Sequence, residues 1–419
     1  MLYRVAKIVM WVTLRIFFRK VRVEGSEKLD HKNPAILIAN HTASFLDAMV
    51  LSVFLKRPLF YFVRGDIFKH PIALYIFTKL HMVPIFSSND GRAELSKNKS
   101  TFDRGQDILK NDKLLLIFPE GYSRLSKDLA PFKKGTARVA LQTAFDFGIE
   151  KEFTIETVCI NYSFHGFRSD LLIRVGDSLP LAKYKEEYRG SPGHAITNLT
   201  RDMFDLFEKN VLYVAQPDRT LYVEALLRML FTDVKYSAND FFTTGRKVCQ
   251  YVSALSEQEF LDSSEELQEY ERMLKQYRIR DEVIFSKKSN SILRISMLVF
   301  FIPFAVVGYG LWHTHYKLSK WIADKTVTRD DFYTSVFSGI GGVMGLIWWL
   351  LLCGVGCYLK VNVIFILFFF SPLFYYGSLL WREEFTALFA THRWYSLSKS
   401  KPEVYQAITT LRNKIKSWN

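Results

Sequence analysis

Three stretches in the last third of the chain, 295–312, 332–359 and 361–381, contain no charged side chain. They run to 18, 28 and 21 residues, and about 20 apolar residues are enough for a helix to cross a bilayer. Lipid offers backbone polar groups no partner, so segments of this kind fold as helices or not at all. The membrane region is therefore set at 291–381, with segments 295–312, 336–359 and 361–381. Only Lys360 separates the last two, which reads as a tight hairpin. Trp312, Trp348, Trp349 and Trp381 are available as interface anchors. If all three segments cross, the loop 313–331, with four Lys/Arg, and the tail from Arg382, with seven, both face away from the side that holds the N-terminal two thirds of the chain. The positive-inside tendency disfavours that. The preferred reading has only the hairpin crossing, with the first segment kinked or re-entrant at Pro303.

The rest of the chain carries ordinary globular text. Over all 419 residues about half the side chains are apolar, Phe occurs 36 times, and the net charge is +14. A basic chain this apolar suits an anionic membrane surface better than nucleic acid, whose readers interleave basic and aromatic residues in a compact domain. Cys159, Cys249, Cys353 and Cys357 form no CxxC pair and no cluster with zinc spacing, so no metal is expected. Residues 1–20 mix large apolar residues with Arg4, Lys7, Arg15, Arg19 and Lys20. That composition reads as an amphipathic helix lying in the headgroup region rather than a signal peptide.

From 21 to 220, apolar runs alternate with helical patterns. Strands are expected at 35–39, 59–63, 82–86, 114–118, 153–162 and 171–176, and helices near 47–57, 71–80, 95–110, 134–148 and 194–209. The alternation predicts an α/β domain whose mainly buried sheet is flanked by helices. Residues 221–290 lack strand signals and read as a helical linker domain, followed by the transmembrane helices. A basic amphipathic tail occupies 382–419.

Two strand ends carry chemistry. The first, AILIANHTASFLD, puts His41 six residues before Asp47. On one straight helix such residues lie about 120° apart and do not meet. They meet if His41 is on the loop after the strand and Asp47 is in the first turn of the next helix, capped by Thr42 or Ser44. The carboxylate then holds one imidazole nitrogen and leaves the other free as a base. The second strand end, LLLIFPEGYSR, stops the ladder at Pro119, thrusts out Glu120 and turns at Gly121. Ligand sites of α/β sheets gather at the carboxyl ends of strands, which suggests one shared cleft.

An Asn-His with a spaced Asp, followed by FPEG, resembles the phospholipid/glycerol acyltransferase family over about residues 30–215. Most members separate the His and Asp by four residues; here five intervene, Thr42 to Leu46. The longer spacing resembles a glycerol-3-phosphate and dihydroxyacetone-phosphate acyltransferase branch with hydrophobic C-terminal segments. The resemblance implies that His41 takes a proton from a glycerol hydroxyl as it attacks an acyl thioester, coenzyme A or carrier protein, with no other cofactor. Asp47 would orient the ring. Glu120 and Gly121 would help hold the glycerol-phosphate end, and the phosphate needs cations: Arg64, Lys133, Lys134 and, where relatives carry an arginine after the strand equivalent to 82–86, Arg92. Three departures stand out: Ser87 in place of that arginine, Tyr122-Ser123-Arg124 after FPEG, and TVCINY, where Asn161 and Tyr162 match but a proline is missing.

The expected function is acylation of glycerol 3-phosphate at a membrane, a bacterial inner membrane with the catalytic domain cytoplasmic. The alternative acceptor is lysophosphatidate, giving phosphatidate. A non-catalytic lipid-binding protein is the reading from a different class, and no nucleic-acid partner is expected.

Overall fold

The computed structural model describes residues 2–29, 32–68, 70–85, 98–146, 152–232, 241–284 and 291–416. The chain divides into two compact units: 1–211 together with 327–342, and 212–326 together with 343–419.

The first unit is built on one mixed sheet. Its strands are β1 (Lys20–Glu24), β2 (Ala35–Ile38), β3 (Leu59–Arg64), β4 (Met82–Ile85), β5 (Leu114–Ile117), β6 (Thr154–Tyr162) and β7 (Asp170–Pro180). Their order is β1-β7-β6-β2-β5-β3-β4. Strands β2 to β6 run in one direction, whereas β1 and β7 run the other way, since β7 is antiparallel to β6 and parallel to β1. Ala35 to Ile38 of the central strand are fully buried, which is why that run is continuously apolar rather than alternating. The carboxyl ends of β2, β3, β5 and β6 consequently leave the sheet along one edge.

Helices cover the sheet at Phe45–Phe54, Asn98–Lys110, Gly135–Leu141 and Pro192–Glu208. The helix Leu2–Phe17 belongs to this unit: Leu14 and Phe17 enter the core beside Leu51 and Tyr162. Its C-terminal end is thus docked on the domain, while Leu2, Val5, Ile8, Trp11 and Val12 stay exposed, Ile8 at 65%. The helix Pro71–Lys79 buries none of its residues and exposes Ile72, Leu74 and Tyr75.

The unit does not end where the strand pattern does. Residues 327–342 return to it from the far side of the sequence. Phe332 packs edge-on against Phe45, and Phe337 lies between Phe17 and Phe167. Gly342 sits against Met10 and Thr13, where a Cβ would lie 2.9 Å from the Thr13 hydroxyl. The boundary expected at 220 is therefore replaced by a discontinuous domain.

The second unit is helical. Thr220–Thr232, Phe241–Ala254 and Glu257–Tyr277 are among its helices, the last of them opened by a capping box of Ser256 and Glu259. Among the described residues, two helices are long and apolar enough to cross a membrane, Ile292–Thr326 and Asp330–Tyr358. Pro303 does not break the first, which is continuous. The interruption falls instead in the third segment, where Asn362–Phe369 and Ser371–Ser400 meet at 56°. Pro372 explains it: it stands in the first turn of the second piece, where a missing N–H costs nothing, but it cannot carry on the hydrogen-bond ladder of the piece before it. The re-entrant element expected at 295–312 is corrected accordingly. The tail packs back through Arg412, which is buried and makes a two-pronged ion pair with Asp281 at 2.6 and 2.9 Å.

Candidate active site

Asn40 leaves β2 and substitutes its side-chain amide for the ladder. Its Nδ2 donates to Ile160 O and its Oδ1 accepts from Ile160 N, both at 2.8 Å. The next residue, His41, is thereby fixed at the sheet edge. Ser44 turns the chain with φ 51° and ψ −129°, a positive φ that a side chain tolerates only at a cost. The helix Phe45–Phe54 then begins, with Asp47 in its first turn, as a six-residue separation requires for contact.

Asp47 is completely buried, and its carboxylate accepts three hydrogen bonds. Oδ2 takes the Ala43 N–H at 2.8 Å and His41 Nδ1 at 3.1 Å, while Oδ1 takes the Tyr162 hydroxyl at 2.8 Å. A carboxylate in that position requires the proton on Nδ1, so Nε2 carries the free lone pair. The imidazole stacks on Phe118, with centroids 3.9 Å apart, and keeps 19% of its side-chain surface open. Burial, and next the Asp47 charge, hold the Tyr162 phenol well above its ordinary value of 10, so it remains a donor.

The second loop locks onto the first. Glu120 Oε1 accepts from His41 N at 3.1 Å, Arg124 N donates to His41 O at 3.3 Å, and Ser123 Oγ accepts from Ser44 N at 2.9 Å. Glu120 is not thrust out at all; it is 2% exposed. The loop beyond it folds back, with Lys133 N donating to Pro119 O at 2.9 Å and the Ala130 N–H reaching the Glu120 carboxylate. Burial raises the Glu120 pKa, opposed by the amides of His41 and Ala130 and by the charges of His41 and Arg124. Gly121 turns at φ 75°, and the Lys133 side chain crosses it so closely that a Cβ would stand 2.8 Å from Nζ. Lys133 and Arg124 both lie over the Tyr122 ring.

Arg64 is the last residue of β3 and is exposed. Since Tyr61 pairs with Leu116 of β5, Arg64 emerges at the edge that carries His41 and Glu120. Lys134 points its Nζ to Thr197 Oγ1 at 2.9 Å, on the helix Pro192–Glu208, and is not joined to His41. Arg92 and Ser87 lie outside the described residues. The helix of Asp47 is capped neither by Thr42, whose hydroxyl is unpartnered, nor by the Ser44 side chain. That place is taken by Ser335, whose Oγ accepts from Leu46 N at 3.0 Å and donates to Ala43 O. Sequence reasoning missed Ser335 and the role of Tyr162. The small residues of TSVFSGIGG, which let a helix approach closely, were a signal for the first; the Asn161-Tyr162 match pointed at the second.

An acyltransferase family model matches residues 20–161, the segment that holds His41, Asp47, Arg64, Glu120, Gly121, Lys133 and Lys134. Over these residues the chain matches an acyltransferase domain. Curated relatives include the chloroplastic 1-acyl-sn-glycerol-3-phosphate acyltransferase LPAT1 of Arabidopsis thaliana, 31% identical over 32% of this chain and 36% of its own length. The corresponding chloroplastic protein BAT2 of Brassica napus is 28% identical over 32% of this chain and 38% of its own. The chain thus spans little more than a third of the curated relatives it matches. A solved structure, the 1-acyl-sn-glycerophosphate acyltransferase PlsC of Thermotoga maritima, aligns with 49% of this chain and 78% of that one at 16% identity and a TM-score of 0.35. At that score the superposition adds nothing to the topology described above. The two apolar helices fit a membrane setting, while relatives named as chloroplastic do not point to a bacterial inner membrane.

Proposed function

We propose that this chain transfers an acyl group from a thioester to the free hydroxyl of 1-acyl-glycerol 3-phosphate, making phosphatidate at a membrane. The observation that carries the reaction type is the buried Asp47 holding His41 Nδ1 within the acyltransferase domain. The acceptor rests on the relatives, which are named for that substrate.

In the proposed step His41 Nε2 removes the hydroxyl proton as the oxygen attacks the thioester carbonyl. The tetrahedral centre collapses, the C–S bond breaks, and the proton passes from the imidazolium to the departing thiolate. Asp47 stabilises the imidazolium and keeps the tautomer. Both substrates react while bound together, so alignment supplies much of the rate and no acyl-enzyme is needed. Arg64 and Lys133 are the cations assigned to the acceptor phosphate. The buried Glu120 would act by fixing the His41 loop rather than by touching substrate.

Glycerol 3-phosphate is the second reading, supported by the five residues between His41 and Asp47. The test is competition: purified full-length protein is given one acyl-coenzyme A and equal amounts of both acceptors. Phosphatidate is the expected main product. Lysophosphatidate made from glycerol 3-phosphate as the main product would transfer the assignment to the second reading. Undiminished transfer by His41→Ala would remove the base.

A further inference from the structure

His41 and Asp47 are set against each other by a turn of five residues. Its own bonds are few: Leu46 N to Ala43 O at 3.1 Å and Asp47 N to Ser44 O at 3.2 Å, and Ser44 takes a positive φ without the side-chain cap bond that usually secures a helix start. Two external groups add to them. Ser123, from the neighbouring loop, accepts the Ser44 N–H. Ser335 grips the turn on both sides of Ser44, accepting from Leu46 N and donating to Ala43 O. One Cα away, the N–H of the same residue pins Asp47 Oδ2, the oxygen that meets His41.

Ser335 comes from 289 residues further along the sequence than its partner Leu46. It is 2% exposed and lies on the helix Asp330–Tyr358, one of the two long enough and apolar enough to cross a membrane. Asp331, Ser335, Ser338 and Gly342 form the buried face of this helix within the first unit. Phe332 against Phe45, and Phe337 against Phe17 and Phe167, fix its rotation. A hydroxyl buried here for packing alone would bond to its own helix, as Ser338 does by donating to Ser335 O. Ser335 spends both of its hydrogen-bonding roles on the catalytic turn instead.

We propose that Ser335 is a positioning residue for acyl transfer: from the foot of a membrane-length helix it fixes the turn that aligns His41 with Asp47. The inference rests on the acyl-transfer reading above. A misplacement of about 1 Å at the base is enough to cost on the order of a hundredfold in rate. Substrate contacts are untouched, so binding should persist.

The experiment compares Ser335→Ala, Ser338→Ala and His41→Ala in the full chain, reconstituted in lipid vesicles. Ser335→Ala should lower kcat roughly ten- to hundredfold, with KM held within about twofold. Ser338→Ala loses an equally buried hydroxyl from the same face and should stay within about twofold of the parent. Hydrogen exchange of residues 43–47 should accelerate in Ser335→Ala alone, with β5 unchanged. Equal behaviour of the two serine variants, or unchanged exchange at 43–47, overturns the proposal. Full activity of His41→Ala instead overturns the functional reading, and the exchange result then still decides whether Ser335 holds the turn.

Discussion

Replacing Asp47 by asparagine removes a charge while leaving the framework of hydrogen bonds nearly intact. The amide oxygen can replace Oδ2 toward Ala43 N and His41 Nδ1, and the amide nitrogen can face the Tyr162 hydroxyl, which accepts as well as it donates. The opposite orientation sets the amide nitrogen against the Ala43 N–H and is disfavoured. Asp47→Asn therefore keeps the ring and its tautomer and isolates the electrostatic contribution. At 3.1 Å and an effective dielectric of about 20, an imidazolium and a carboxylate attract by roughly 5 kcal/mol. The Ala43 and Tyr162 donors already draw on that charge, which leaves on the order of 3–5 kcal/mol for the transition state. With about 1.4 kcal/mol per decade, kcat should fall between roughly 10² and 10⁴. The assay is thiol release from acyl-coenzyme A at saturating acceptor, with the fold checked by circular dichroism. A folded Asp47→Asn within about threefold of the parent would refute the reasoning, because the carboxylate charge would then play no part in the rate.

Tyr162→Phe deletes a hydroxyl bonded to a buried carboxylate; it should cost about 1.5–3 kcal/mol of stability by urea unfolding and reduce kcat less than Asp47→Asn does. Glu120 gives a pH dependence. Its pKa is raised from the ordinary 4.5 by burial, so the folded chain holds this proton more tightly than the unfolded one. Its contribution to stability is complete below pH 4.5 and is lost as the pH climbs through the raised value. Glu120→Gln should therefore gain on the parent in unfolding experiments as the pH goes from 4 to 7; a constant difference would contradict that. Gly121→Ala forces a side chain into φ 75° and against Lys133, at a cost of about 1–2 kcal/mol. Because Lys133 must swing aside, KM for the phosphorylated acceptor should rise more than kcat falls, measured by varying the acceptor at fixed donor.

The central strands β2 and β5 announce themselves in the sequence because they are flanked on both faces and read as unbroken apolar runs, AILI and LLLI. Strand β1, KVRVE, escapes the same reasoning: it is an edge strand, mostly half-exposed, and its charges read as loop. The His41–Asp47 contact is legible because a six-residue separation permits it in only one local arrangement. Glu120 looks like a free carboxylate at a strand end, since nothing in FPEG shows that the chain from 121 to 133 returns to cover it. Ser335 is hidden for another reason. An uncharged helix looks lipid-facing by composition, and a contact across 289 residues leaves no local pattern beyond a few small side chains. The proline break was misplaced because composition shows two prolines, Pro303 and Pro372, without showing which turn of helix can continue past one.

The discontinuity of the first unit has a consequence for how the molecule comes into being. A chain emerging from its N-terminus completes the sheet, His41 and Asp47 by residue 211, yet the serine that braces their turn is still unmade. Before it appears, the apolar helix 292–326 must leave the ribosome. Synthesis thus delivers a bilayer-seeking segment ahead of the final brace.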